Sequence, residues 1–144
     1  MQQQHWILVA NASKARLFER SAFNQPLTEL ADWTHPESRL SARETERAPL
    51  GHSLAGRAGL SPRSDIHQRH RSQFAQTLSH YLQEAVLNQR VKALTLVVSN
   101  PFLGELLVHL DGPVQKILKA HHVLDWTSLS ITELDHRLRI EFLL

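Results

Sequence analysis

Residues 93–98 constrain the fold of this chain more than any other segment. Their sequence, Ala-Leu-Thr-Leu-Val-Val, is apolar at nearly every position. A strand has this composition when both of its faces are covered, because neither set of alternating side chains then meets water. The run therefore predicts a central strand in a sheet with helices packed on it.

Strand patterns also fill the first part of the chain. Residues 6–10 form a short apolar run rich in branched side chains, and residues 15–20 follow after the turn-like sequence Asn-Ala-Ser at residues 11–13. This pairing predicts a β-hairpin. Residues 27–33 alternate with the period of a strand after the break at Pro26, which predicts a third strand.

A long helix is predicted after the irregular middle of the chain. Ser64 and Asp65 have the character of a helix cap, and apolar residues then recur at helical spacing. This stripe consists of Ile66, His70, Phe74, Leu78, Leu82, Ala85 and Val86. The opposite face is polar and is expected in solvent. It carries Gln68, Arg69, Gln76, Gln83 and Glu84.

Two prolines mark shorter helices. Pro101 predicts a helix start directly after the strand at residues 93–98, and Pro113 opens a further helix that runs through Leu118. A last strand is predicted at residues 122–128. Each helix is thus followed or preceded by a strand, which favours a layered sheet-and-helix domain.

A capping box predicts the closing helix, because Ser130 and Glu133 have the required spacing. Its core face would be Leu134, Leu138 and Phe142. The whole pattern predicts an α/β fold, with α+β as the alternative: a single-layer mixed sheet of about five strands with helices packed on it. We expect one domain over residues 1–144, with a flexible irregular loop at about residues 40–63.

Residues 35–71 carry the positive charge of the chain. Seven arginines outnumber four acidic side chains there, whereas the whole chain has a net charge of +2 with histidine neutral. The guanidinium fork suits bidentate contact with phosphate or carboxylate. No aromatic residue interrupts the segment, so any contact with nucleic acid is expected to use phosphates. The candidate residues for an anion or RNA are Arg39, Arg57, Arg63, Arg69 and Arg71, together with Asn100 at a predicted helix start.

A solvated loop is the alternative interpretation of this segment. Glu44 and Glu46 stand beside Arg43 and Arg47 and compensate their charge. Arg39 can likewise anchor the loop through a nearby carboxylate. The arginines therefore predict a binding surface without identifying its ligand.

Composition excludes several other classes of protein. The chain has 144 residues and no cysteine, which excludes disulfides and thiolate metal sites. Its first residues lack a charged leader followed by an apolar region, and no run approaches the ~18 apolar residues of a membrane span. We expect a soluble cytoplasmic protein.

Catalytic constellations are weak in this sequence. His67 and His70 lie three residues apart on a predicted helix, a spacing that can bind a divalent metal, although a partly buried, hydrogen-bonded histidine is the simpler account of His70. A two-metal nuclease would need carboxylates at strand ends, where the sequence has Asn11 and Ser99, while Asp125 stands alone. No Gly-x-Ser-x-Gly elbow is present. We therefore predict no catalytic residue, no cofactor and no assigned metal ligand.

Several motifs occur in an order that is recognisable. They are the first apolar strand with Ala-Arg-Leu-Phe at residues 15–18, His-Pro-Glu-Ser-Arg at 35–39, Gly-His-Ser at 51–53, Phe-Ala at 74–75 and Asn-Pro-Phe-Leu-Gly-Glu-Leu at 100–106. The chain resembles the bacterial host attachment proteins, and the resemblance spans essentially its whole length. That family is thought to be related to the central domain of archaeal and eukaryotic peptide chain release factors. The resemblance implies an α/β fold and an RNA-facing or translation-related role.

The chain departs from the family pattern at positions that bear on function. Asn11 stands where relatives commonly have aspartate, Leu107 where they have a basic residue, and Leu124 where they have a lysine. The Gly-Gly-Gln sequence with which release factors promote peptidyl-tRNA hydrolysis is absent, so that activity is not expected.

The leading hypothesis is a non-enzymatic binding protein of the host attachment family. Its arginine-rich surface would dock an acidic partner, which is RNA, the ribosome or an acidic protein. A metal-dependent hydrolase or nuclease that uses His67, His70 and Asp125 is one alternative, and a homodimeric protein adaptor is another.

Overall fold

The computed structural model describes residues 4–35 and 62–144, the side chains of residues 62–64 excepted. In these ranges the chain forms a five-stranded mixed sheet with helices on both faces, which confirms the predicted α/β fold. The strands are β1 (His5–Ala10), β2 (Lys14–Arg20), β3 (Thr28–Thr34), β4 (Ala93–Val98) and β5 (Leu118–His122). The helices are α1 (Pro62–Leu87), α2 (Phe102–His109), α3 (Gly112–Ile117) and α4 (Ile131–Phe142).

The sheet order is β3-β2-β1-β4-β5. β2 is antiparallel to both β1 and β3, which confirms the predicted hairpin and third strand. β1 is parallel to β4, and β4 is parallel to β5. Therefore β1, β3, β4 and β5 all end along the same side of the sheet, which we call the carboxyl edge.

Burial on two faces explains the continuous apolar runs in β1 and β4. Trp6 and Leu8 of β1 face the cluster under α1, α2 and α3, whereas Ile7 and Val9 face the cluster under α4. β4 divides its side chains in the same way, with Leu96 on the first side and Val97 on the second. A strand between two covering layers has no solvent face, so the alternation of polar and apolar residues disappears.

Ser130 caps α4 as the capping-box spacing predicted, while the Glu133 carboxylate pairs with Arg137 Nε at 2.8 Å. The Ser130 hydroxyl accepts a hydrogen bond of 3.1 Å from the Glu133 amide, which satisfies one donor of the first turn. Leu134 and Leu138 are fully buried against the sheet, and Phe142 packs on the same cluster. These contacts fix α4 across β1 and β2.

The start of α1 differs from the prediction. The helix begins at Pro62, ahead of the cap expected at Ser64 and Asp65. Proline is well suited to the first helical position, because its φ is preset and its missing N–H would have no helical partner there. The first two residues of α1 are therefore the last two of the loop that was predicted at residues 40–63, and the rest of that loop lies outside the described residues.

The position of β5 is the larger correction. The strand is Leu118–His122, not residues 122–128, and α3 ends at Ile117 although the helical pattern was extended to Leu118. β5 is an edge strand whose residues alternate between half-buried and exposed, so it lacks the continuous apolar run that identifies β4. Residues 123–130 form an irregular connection to α4.

None of the described helices is long and apolar enough to cross a bilayer.

Candidate functional site at the carboxyl edge

The carboxyl edge gathers the segments that leave four strands. The first of these is the turn after β1, which Asn11 organises. Its Oδ1 accepts hydrogen bonds of 2.9 Å from the amides of Ser13 and Lys14, and its own amide donates to the Lys14 carbonyl at 2.8 Å. A short side chain that bonds its neighbouring backbone in this way is typical of an Asx turn. The Asn11 side-chain amide is left facing the segment that follows β5.

Asp125 and Thr127 accept hydrogen bonds from the Asn11 side-chain amide. Asn11 Nδ2 donates to Asp125 Oδ2 at 3.0 Å and to Thr127 Oγ1 at 3.2 Å. The Thr127 hydroxyl and amide both donate to Asp125 Oδ1, at 2.7 and 3.1 Å. The three residues therefore form one hydrogen-bonded cluster, which we call the Asn11–Asp125–Thr127 cluster.

The pKa of Asp125 lies below its ordinary value. Partial burial alone would raise this pKa, but the hydrogen bonds from the Thr127 hydroxyl, the Asn11 amide and the Thr127 N–H together outweigh it. Asp125 thus keeps its negative charge into moderately acidic solution, and its side chain is exposed. The cluster presents a single fixed carboxylate at the edge of the sheet.

Arg16 of β2 holds this connection against the sheet. Its NH1 group donates to the carbonyls of Leu129 at 2.6 Å and Thr127 at 3.2 Å. Its Nε pairs with Glu29 of β3 at 3.1 Å. One guanidinium therefore fixes the connection between β5 and α4 relative to two strands, which keeps Asp125 beside Asn11.

His35 ties the exit of β3 to α1. Its amide donates to the Ser13 carbonyl at 2.8 Å, and its ring stacks on Phe74 with 5.0 Å between the ring centroids. The His70 ring meets His35 edge-on at 5.9 Å, and Phe74 in turn stacks on Phe102 of α2 at 5.4 Å. The predicted half-buried position of His70 on the apolar stripe of α1 is confirmed.

Arg69 and Arg71 flank His70 and differ in their surroundings. Arg69 is exposed, whereas Arg71 is half-buried and donates from NH2 to Gln68 Oε1 at 2.8 Å. Gln68 Nε2 in turn donates to Glu105 Oε1 of α2 at 2.6 Å. Arg71 is thereby held in one direction, while the exposed Arg69 side chain has no polar partner among the described residues.

The Glu105 carboxylate continues this network along α2. Its Oε2 lies 3.3 Å from His109 Nε2, which is also 3.3 Å from the Ser72 hydroxyl. A continuous series of polar contacts between α1 and α2 therefore connects Arg71 to Ser72. It passes through Gln68, Glu105 and His109. This connection fixes the first turns of α1 at the carboxyl edge.

Metal binding by His67 and His70 finds no complete ligand set in the part of the chain that the structure describes. No three histidine, aspartate or glutamate side chains there come together around a possible metal position. Asp125 hydrogen bonds with Asn11 and Thr127.

Asn100 lies exposed in the turn between β4 and α2. α2 has Pro101 at its cap position with no side-chain cap, and the Leu103 amide already donates to the Ser99 carbonyl at 2.9 Å. The amide donors that an anion would use here are thus partly occupied. Asn100 shares the carboxyl edge with Asn11 and with the first turns of α1.

Three predicted site residues cannot be placed. Arg39 and Arg57 lie outside the described residues, and only the backbone of Arg63 is described, in the first turn of α1.

The Asn11–Asp125–Thr127 cluster was missed by the sequence analysis. Placing the last strand at residues 122–128 put Asp125 in the middle of a strand, whereas the observed β5 ends at His122 and places Asp125 just beyond it. Because β1 and β5 run in the same direction, a residue after β5 lies on the same edge as Asn11. The signal was a pair of polar residues following parallel strands, and it required the correct end of β5.

Comparison with known families gives one match. A family model described as a protein required for attachment to host cells matches residues 6–138. The matched region covers all five strands except the first residue of β1, all of α1 to α3, and α4 as far as residue 138. No curated protein matches the chain at a significant level.

Proposed function

This chain belongs to the family of proteins required for attachment to host cells, and from that premise we propose that it is a non-enzymatic binding protein that docks an acidic partner at the carboxyl edge. The docking residues in this proposal are Arg39, Arg57, Arg63, Arg69, Arg71 and Asn100.

The observation that carries the proposal is the contact of His35 with His70 and Phe74. His35 is the last described residue after β3, and α1 opens the next described range at Pro62. The two described ends that flank residues 36–61, His35 and the start of α1, therefore lie at the same edge of the sheet. Arg69 and Arg71 flank the histidine that forms this contact.

Position at the carboxyl edge supports a binding role on general grounds. Ligands of open α/β sheets bind outside the carboxyl ends of the strands, where loops from several strands converge. Here the turn after β1, the exit of β3, the turn before α2 and the connection after β5 all meet at this edge.

Electrostatic docking is the proposed mechanism. Arg69 is exposed and able to form a bidentate contact, and Arg71 is oriented by Gln68. Such contacts with phosphates release counterions, so binding should weaken steeply as salt rises. The Asp125 carboxylate on the same edge would repel an anion that approached from the side of β5, which favours approach over α1.

An RNA partner is the finer part of the proposal. It draws on the relation that the family is thought to have to the central domain of release factors, and on the suitability of arginine for phosphate. An acidic protein would meet the same guanidinium groups through carboxylates, so two probes are needed to separate the cases.

Fluorescence anisotropy tests the proposal with a labelled single-stranded RNA and with labelled polyglutamate. RNA binding at low salt that weakens with added salt would support the RNA partner, and binding of polyglutamate alone would support an acidic protein. If neither probe binds at low salt, the docking proposal is wrong.

Matched variants locate the surface. Replacing Arg57, Arg63, Arg69 and Arg71 with glutamine should weaken binding and reduce the salt slope by about one per lost phosphate contact. The double variant Arg69→Gln/Arg71→Gln should give part of this loss. Its control is Lys92→Gln/Lys116→Gln, which removes two exposed charges near the starts of β4 and β5, at the opposite edge. Equal losses in both double variants would mean that only net charge matters.

A further inference from the structure

The two outermost strands of the sheet have no strand partner on their outer edges among the described residues. β3 ends one side of the sheet, and β5 ends the other. The outer edge of such a strand presents a row of backbone N–H and C=O groups that can pair with another strand. No residue of β3 or β5 is fully buried. Both edges are therefore accessible in the part of the chain that the structure describes.

β3 and β5 share an irregularity. Each has one extra residue that lies opposite no residue of its neighbouring strand, Leu30 in β3 and Lys119 in β5. Residues three positions apart therefore lie on the same side of the sheet, whereas a regular strand would place them on opposite sides. On the side of α1 these pairs are Thr28 with Ala31 and Leu118 with His121. A parallel alignment that sets Thr28 beside Leu118 brings the two irregular segments together with their side chains on matching faces.

The same alignment matches charged and apolar side chains. Lys119 is exposed and is the one charged residue of β5 when histidine is neutral, and it lies opposite Glu29. The Glu29 carboxylate already meets Arg16 of β2 at 3.1 Å, and a carboxylate can accept hydrogen bonds from two cations. Val123, which follows β5 and is 55% exposed, lies opposite the half-buried Trp33. Pairs of this kind stabilise neighbouring strands.

Pairing between two identical edges is less favourable. β3 has the carboxylates Glu29 and Asp32 and no cation of its own, so two copies of β3 would bring together two carboxylates from each chain. Two copies of β5 would bring together the ammonium groups of two Lys119 residues. Like charges on directly paired strands are destabilising. Charge therefore favours contact between unlike edges, β5 of one copy with β3 of another.

From these observations we propose that the chain associates head to tail with further copies of itself, through parallel pairing of β5 of one copy with β3 of the next. Such an interface is heterologous, so every added copy leaves one edge of each kind available, and the assembly grows as an open chain with a continuous sheet. One strand length of contact is a small interface. We therefore expect weak association, with a Kd on the order of 100 µM.

The direction of the strands determines how the copies are arranged. β1, β3, β4 and β5 all run in the same direction within one copy. Parallel pairing of β5 with β3 therefore keeps the carboxyl edges of successive copies on the same side of the extended sheet. The association uses the outer strands and does not depend on the docking proposed at the carboxyl edge.

Cysteine trapping tests the strand alignment directly, because the chain has no cysteine of its own. Ala31→Cys and His121→Cys place thiols on neighbouring strands in the proposed alignment. Mixed in equal amounts with a mild oxidant, these two variants should form the mixed disulfide above the share expected from random pairing. Ala31→Cys mixed with Gln76→Cys, which lies at an exposed position of α1, should pair at random. Random pairing in both mixtures, or an excess of the Ala31→Cys homodimer, would overturn the proposal.

Sedimentation velocity at low salt tests the association itself. The weight-average mass of the original chain should rise between about 10 µM and about 1 mM, the range that brackets a weak interface. Lys119→Glu alone and Glu29→Lys alone should each abolish the rise, and an equimolar mixture of the two should restore it, because the exchanged charges are again complementary. Glu141→Lys changes an exposed carboxylate of α4 and should leave the rise unchanged. A constant mass for the original chain, or a mixture that stays monomeric, would show that β5 and β3 do not pair.

Discussion

Asn11 and Asp125 are 114 positions apart in the chain and are joined by a hydrogen bond of 3.0 Å at the carboxyl edge. The bond links the turn after β1 to the connection after β5, two segments that the intervening β4 separates in the sheet. Since Asn11 also accepts two backbone amides with its Oδ1, one side chain sets both the shape of its own turn and the position of Asp125.

Replacing Asn11 should therefore destabilise the fold in a way that depends on the substitute. Asn11→Ala removes every one of these bonds and should lower the free energy of unfolding by about 1–3 kcal/mol. Asn11→Asp keeps the accepting oxygen, loses the donated bonds and places a second carboxylate against Asp125, so the pKa of Asp125 should rise. Urea denaturation at neutral pH and a carbon NMR titration of the Asp125 carboxyl measure the two effects.

The control for the second variant is Asn100→Asp, which makes the same charge change at an exposed position of the same edge. It should leave the pKa of Asp125 and the stability close to those of the original chain. An Asn11→Asp variant with an unaltered Asp125 titration would contradict the observed hydrogen bond.

The cap of α4 gives a local prediction. Ser130→Ala removes the acceptor of the Glu133 amide and should cost about 1 kcal/mol, because that first-turn donor is then left to water. Ser128→Ala changes an exposed serine just before the cap and is expected to shift stability by less than about 0.5 kcal/mol. Chemical denaturation of both variants distinguishes a cap from a general loss of hydroxyl groups.

The parts of the fold that the sequence predicted correctly are those with a strong local signal. β4 was identifiable because both of its faces are buried, and α4 because Ser130 and Glu133 have capping-box spacing. β5 was misplaced because it is a short edge strand, and because its first residue, Leu118, continued the helical spacing of α3. An edge strand is specified by the neighbour with which it pairs, and this information is not local.

The residues of the candidate site were likewise predictable only where the signal in the sequence was local. Arg69 and Arg71 were identified by composition, and the structure brings them beside the His35–His70 contact. The Asn11–Asp125–Thr127 cluster could not be predicted while the end of β5 was wrong by six residues. The pairing of Arg20 with Asp135 was equally hidden, since no local pattern relates the end of a strand to a distant helix.

Burial under α4 yields a packing prediction. Leu134 is fully buried in the cluster that includes Ile7 and Trp126, so Leu134→Ala should reduce the free energy of unfolding by about 2–5 kcal/mol. Ile140 lies on the same helix but is 65% exposed, and Ile140→Ala should cost less than about 0.5 kcal/mol. Equal losses in thermal or urea unfolding would mean that α4 is not packed as described.

His5 predicts how stability changes with pH. Burial, and secondarily the nearby Lys119, lower the pKa of the folded His5 below its ordinary value of about 6.5. As the pH falls through that value, the unfolded chain gains a proton at this residue before the folded chain does. This residue therefore makes the free energy of unfolding decrease on acidification and leaves it unaffected well above pH 6.5.

His5→Gln removes the titrating group, so the decline in the free energy of unfolding between about pH 7.5 and pH 5.5 should become shallower. His121→Gln changes an exposed imidazole on β5 and is the matched control. A second variant, Lys119→Gln, should raise the pKa of His5 in an NMR titration, because the smaller of the two causes is then gone. If His5→Gln and the original chain lose stability in parallel, the imidazole is not held neutral by the fold.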